Sequence, residues 1–428
     1  MTPTQPPPIE PLPPAHRAGP RRAVVAAVAL IVVLVAGVGA GVAIGREHST
    51  STSSTTTTTG VRTPAGKAQR CTKHKRKKKR KKPCPATTPS STAAASGSPN
   101  APPPGNLASL NLTDLHSKVG LSTGTQLWDA NATQMDSEIS GIASSGAKWV
   151  RTSLHWSDVE PTSAAHDDWS RADRIVSDAQ HDGVNVIFDI GNAPDWAGGA
   201  QAGEFSNNPQ LYADFATKVA TRYRDTVRVF ELGNEPNHTH YVGTPDPATY
   251  ATVLRLSYPA IKAADPNAFV LVGGVGGVKD TGGDVDPLSF VRGLYEHGAK
   301  GYFDGLAYHP YTYPELPAQE ISTGDRGWSR MLEVRALMVQ NGDSGKSIWI
   351  TEFGAPTSGP GGVSQQQQAA IMQNGFQLWN TYSWGGAMCW FSYEDKGNDP
   401  STHKDWFGIV DSSGAHKSSY ATFAALGR

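Results

Sequence analysis

The 428-residue chain balances 38 basic against 38 acidic residues and carries only three cysteines. That count excludes a large disulfide-built domain, so the bulk of the chain must rely on an apolar core. The length allows two or three ordinary domains, or one large barrel with appendages.

The zero net charge hides an asymmetry. Residues 1–82 hold 16 Lys and Arg against Glu10 and Glu47, a balance of +14, which leaves 22 basic and 36 acidic residues, or −14, for the remainder. Residues 1–22 are proline-rich without apolar periodicity and are expected to be disordered. Residues 23–45 contain only Ala, Val, Leu, Ile and Gly, and about 20 such residues suffice for a helix to cross a bilayer. The run is longer than a signal-peptide core, although small residues at 41–43 leave cleavage open, and it lacks the polar face of a core helix. Arg17, Arg21 and Arg22 crowd its N-terminal flank, which predicts a cytoplasmic N-terminus, a single-pass membrane anchor and an extracytoplasmic remainder.

Residues 46–106 form a low-complexity linker interrupted by KHKRKKKRKK at 73–82. No aromatic residue interleaves that run, so nucleic acid is not the expected partner; anionic lipid or an anionic envelope polymer suits it, as does a plain solvated spacer. Cys71 and Cys84 bracket the run and could pair on an oxidising face, whereas Cys389 lies in an apolar stretch and reads as a buried hydrophobe.

From residue 107 to 428, short apolar runs alternate with helical patterns. The runs are 118–121, 149–153, 184–190, 227–232, 269–273, 305–308, 347–351 and 387–391. Between them, sets such as Leu211, Phe215 and Val219, or Met331, Val334 and Met338, recur at helical spacing. Eight strand–helix units imply an α/β fold, a closed (β/α)8 barrel. An open doubly wound sheet would carry a glycine-rich phosphate turn after its first strand, and KVGLSTGTQLWDA offers none. GGVGG at 273–277 follows the fifth run without the helix and acidic residue of such a fingerprint, and reads as a flexible loop.

Barrel chemistry sits at the C-terminal ends of the strands. The fourth run ends in GNEP and the seventh in TEFG, so Glu235 and Glu352 converge on one mouth. Paired carboxylates suit glycoside hydrolysis, one protonating the leaving oxygen while the other, ionised, attacks the anomeric carbon. Arg151 in the second run could keep Glu352 charged.

These two motifs resemble the acid/base and nucleophile motifs of clan A glycoside hydrolases. The resemblance covers the module from about residue 107 onward and leans toward families 5 and 39, including exopolysaccharide-degrading relatives of the latter. It implies Glu235 as acid/base, Glu352 as nucleophile and a retaining mechanism on β-linked oligo- or polysaccharide. It also implies that Asn234 binds the sugar 2-hydroxyl, that His309 and Tyr311 line the site around the nucleophile, with Tyr308 competing for the latter role, and that Trp390 forms the sugar platform. Arg151 matches the strand-two arginine of many members. Trp196, with Trp128, Trp156 and Trp406, falls in rim loops where several aromatics suit a polysaccharide cleft, and His155 is a polar candidate on the same rim. No cofactor is expected, nor a metal, since His238 and His240 lack a third ligand. Asn111, Asn131 and Asn237 head Asn-x-Ser/Thr triplets. The competing expectation is a barrel that binds envelope polysaccharide without catalysis.

Overall fold

The computed structural model describes residues 110–199, 203–323 and 327–428. The tail 1–22, the apolar run 23–45, the linker 46–106 with its basic run 73–82, and both Cys71 and Cys84 lie outside the described residues. Among the described residues no helix is long and apolar enough to cross a membrane.

Eight parallel strands close in sequence order, each bonded to the next and β1 to β8. They are β1 Val119–Gly124, β2 Trp149–His155, β3 Asn185–Gly191, β4 Val229–Asn234, β5 Phe269–Gly276, β6 Gly305–His309, β7 Ser347–Phe353 and β8 Gly385–Phe391. The expected (β/α)8 barrel is therefore the observed one. Helices 132–144, 170–181, 209–222, 247–264, 287–296, 328–340, 365–379 and 418–426 are the principal connectors and cover the outer face. Three of them begin with an Asx-Pro pair: Asn208, Asp246 and Asp286 each accept from a first-turn backbone N–H, and the following proline needs no acceptor there.

Side chains alternate along each strand, so one set fills the barrel and the other meets the helices. The inner set at the N-terminal end includes Trp149, Ile187, Val229, Phe269 and Trp349, with the two indoles edge-to-face at 5.4 Å. Cys389 belongs to this set and is fully buried, as its apolar surroundings predicted. Leu110 and Leu112 pack against the same end. The outer set, Phe188, Phe230, Leu232, Ile350, Phe353 and Trp390 among it, packs under the helices.

Several strands run further toward the mouth than their apolar cores suggested. β5 is the clearest correction: Gly273, Gly274 and Gly276 are buried strand residues, not a flexible loop. A Cβ on Gly274 would lie 2.1 Å from Nε2 of His309, and one on Gly276 would lie 2.7 Å from the carboxyl carbon of Glu235. Glycine stands there because two side chains of the mouth occupy the space.

Candidate active site

The mouth at the C-terminal strand ends opens into a cavity of about 550 Å³. At its centre Arg151, 1% exposed on β2, crosses the barrel interior. Its Nη1 donates to Oε1 of Glu352 at 2.6 Å, and its Nη2 to Oδ1 of Asn234 at 2.8 Å. Nε and Nη2 reach the two oxygens of Glu231 at 3.2 and 3.1 Å, and Nη2 lies 3.2 Å from Oδ2 of Asp189. One guanidinium thus ties β2 to β3, β4 and β7. Its fork suits a carboxylate held on two points, which an ammonium could not do. Asp189 and Glu231 are the members that motif reading passed over. Both are charged side chains inside otherwise apolar strands, VIFDIG and VFELGN, and that contrast was the available signal.

Glu352 is braced from a second side by Tyr311, whose hydroxyl donates to Oε2 at 2.8 Å. Burial works to raise its pKa, but His309, Arg151 and the Tyr311 hydroxyl together outweigh it and hold the carboxyl below the usual range. Tyr308, the competing tyrosine, faces the helices in the core.

Glu235 follows β4 in a left-handed turn at φ 40°, with its N–H donating to the carbonyl of Gly274 at 3.0 Å. Its Oε1 lies 3.0 Å from Nδ1 of His309, and Oε2 of Glu352 lies 3.8 Å from the same nitrogen. Those two distances bound the gap between the two carboxylate oxygens at 6.8 Å. His309 is fully buried, and its Nε2 reaches Oγ1 of Thr351 at 3.1 Å. Burial disfavours the imidazolium, yet the two glutamates outweigh it and raise the His309 pKa. Asn237 supports the turn from behind: its Oδ1 accepts from the N–H of Gly276, and its amide donates to the carbonyls of Gly276 and Val285. That burial removes Asn237 from the possible glycan acceptors.

The structure brings Arg151, Asn234, Glu235, His309, Tyr311 and Glu352 together, and His155 stands at the cavity wall. It does not bring in Trp390. Strand alternation turns that ring outward against Phe353, at 5.5 Å, and the next residue, Phe391, lines the cavity instead. Trp196 is likewise a packing residue, edge-to-face with Trp156 at 5.7 Å and donating to the carbonyl of Glu160 at 2.6 Å. Among the described residues no tryptophan lines the cavity; its aromatic lining is Tyr241, Tyr311, Tyr313, Phe391 and Phe407. His238 lies 3.1 Å from Asp284, and no cluster suited to a metal occurs among the described residues.

A closed (β/α)8 barrel with glutamates at the ends of strands four and seven defines a clan A glycoside hydrolase. The model of the Cellulase family (glycosyl hydrolase family 5) matches residues 110–396, and the chain belongs to that family. Solved structures agree in fold. A family 39 glycoside hydrolase from Bacteroides cellulosilyticus WH2 superposes with a TM-score of 0.58 at 21% identity, over 72% of this chain and 63% of that one. A GH39 β-xylosidase from Caulobacter crescentus gives 0.54 at 17%, over 73% and 72%. Xylanase 10B from Thermotoga maritima gives 0.52 at 17%, over 73% and 96%. No curated sequence matches the chain.

Proposed function

We propose that the protein is a retaining glycosidase that cleaves β-linked oligo- or polysaccharide by double displacement. The observation that carries this reading is the pair of glutamates meeting at one nitrogen of His309, with Glu352 held charged by Arg151 and Tyr311. Retaining enzymes hold their carboxyl groups about 5–5.5 Å apart, and the 6.8 Å bound accommodates that spacing. Glu352 attacks the anomeric carbon as the bond to the leaving oxygen breaks, and Glu235 delivers the proton to that oxygen. Water then attacks the glycosyl ester, Glu235 takes its proton, and Glu352 leaves as carboxylate. The amide nitrogen of Asn234, whose oxygen is engaged by Arg151, is free to donate to the sugar 2-hydroxyl.

Glu352→Gln is expected to lower kcat on an aryl β-glycoside by at least about a thousandfold. Azide is expected to restore turnover to Glu235→Ala by replacing the second nucleophile. Unchanged activity in both variants would end the reading.

We also propose that residues 23–45 anchor the chain in the cell membrane with the hydrolase outside, and that residues 73–82 contact an anionic lipid or envelope polymer. The support is the length of the uncharged run, the arginines ahead of it and the charge of the basic stretch. Protease added to intact cells should release the barrel; protection of the barrel until lysis would place it on the wrong side.

A further inference from the structure

We propose that Glu204 is a substrate-binding residue of the cleft, its carboxylate accepting hydrogen bonds from the hydroxyls of a neutral sugar in the subsite beside Asn234. The inference rests on the glycosidase reading and adds a third carboxylate to it, one with no part in the displacement.

Glu204 lines the cavity from the segment after β3, half-buried. The backbone around it is shaped to receive its side chain. Gly191, the last residue of β3, carries no Cβ; one built there would lie 1.7 Å from Oε2 of Glu204. Asn192, next in the chain, takes a left-handed φ of 55°, and its N–H donates to the same Oε2 at 3.2 Å. The backbone of Asn234, the residue before the acid/base, lies near enough to favour the charged carboxylate as well. Its own N–H is tied to the carbonyl of Tyr241 at 3.1 Å across the cleft wall.

Among the described residues no cation forms an ion pair with Glu204, and no side chain donates to it. A carboxylate offers about four acceptor positions. The Asn192 N–H occupies one of them, and the carboxylate lines the cavity with the rest.

A purely structural role fits poorly. Burial raises the Glu204 pKa to about 7, against the opposing pull of the Asn192 N–H and the Arg151 charge. A neutral glutamine in this niche would therefore serve folding better than an acid does. The groups facing it are Arg151 on β2, Asp189 on β3, Glu231 on β4, and the hydroxyls of Tyr212 and Tyr241. A charge-disfavouring niche at the edge of a cleft is where a ligand supplies the missing donors.

The test is the KM of the full-length protein for a neutral aryl β-glycoside or oligosaccharide between pH 6 and 8.5. KM is expected to fall as pH rises through about 7, because the ionised carboxylate is the better acceptor. In Glu204→Gln, KM should rise about five- to tenfold at pH 8, the difference between a hydrogen bond to a charged carboxylate and one to a neutral amide oxygen, with kcat within about threefold. The inflection should disappear. A wild-type KM that is flat across this range, or a Glu204→Gln variant whose KM stays within twofold of wild type, would overturn the proposal, and the first needs no variant to fold. Should wild type hydrolyse no glycan at all, the glycosidase reading falls; calorimetric titration with the same oligosaccharide over the same pH range then still decides whether Glu204 binds it.

Discussion

At the scale of single residues, the backbone of Glu235 is informative. A non-glycine residue at φ 40° costs on the order of 1 kcal/mol, and the turn after β4 accepts that cost to aim a carboxylate at His309. Glu235→Gly is therefore expected to melt later than Glu235→Ala by about 1 kcal/mol, while both lose activity; equal unfolding midpoints would deny the strain. Glu235 and Glu352 were legible because a charged residue closing an apolar strand is rare and the barrel gives strand ends one common destination. Trp390 was misjudged by one position, since period-two alternation decides which of two adjacent aromatics enters the mouth and a short apolar run does not reveal its phase. Asp189, Glu231 and Glu204 were passed over for a different reason. Their roles come from partners 12 to 80 residues away, and no local pattern records such pairings.

At the scale of elements, the strands and helices were read from periodicity and their ends were not. β5 looked finished at its first glycines, yet those glycines continue the pleat because His309 and Glu235 fill the space above them. Gly274→Ala should accordingly fold poorly or displace His309 and cost activity at least tenfold by the estimate that a 1 Å misplacement can cost about a hundredfold. Helix 132–144 carries a different liability. Glu138 on its inner face is 9% exposed with Oε1 unpartnered, and burial, with Glu394 nearby, pushes its pKa to about 8. A raised carboxyl pKa means the fold favours the protonated form. Its contribution is full below the unfolded value of 4.5 and is lost as pH climbs to about 8. Glu138→Gln should flatten the decline in unfolding free energy between pH 5 and 8, gaining on the order of 2–4 kcal/mol at the upper end. A parallel pH profile in the variant would refute this.

At the scale of the whole molecule, Arg151 acts as a tie across the barrel. It engages carboxylates from β3, β4 and β7 while standing on β2, so its removal strands two buried acids and a third, partly buried one, at once. Arg151→Met is expected to lower unfolding stability by about 3–5 kcal/mol and to abolish turnover, as breaking a buried pair does. Denaturant midpoints compared with those of Glu352→Gln would separate the two effects, since the latter removes one acid and leaves the tie in place. The barrel is also polar in a geometric sense. Leu110 and Leu112 seal the end where Trp149 and Trp349 meet, while the cavity with Glu235 and Glu352 opens at the other. Leu110 therefore stands at the pole away from the cleft. A tag, bead or surface attached there leaves the mouth pointing into solution, free to meet a polymer too large to diffuse around the molecule.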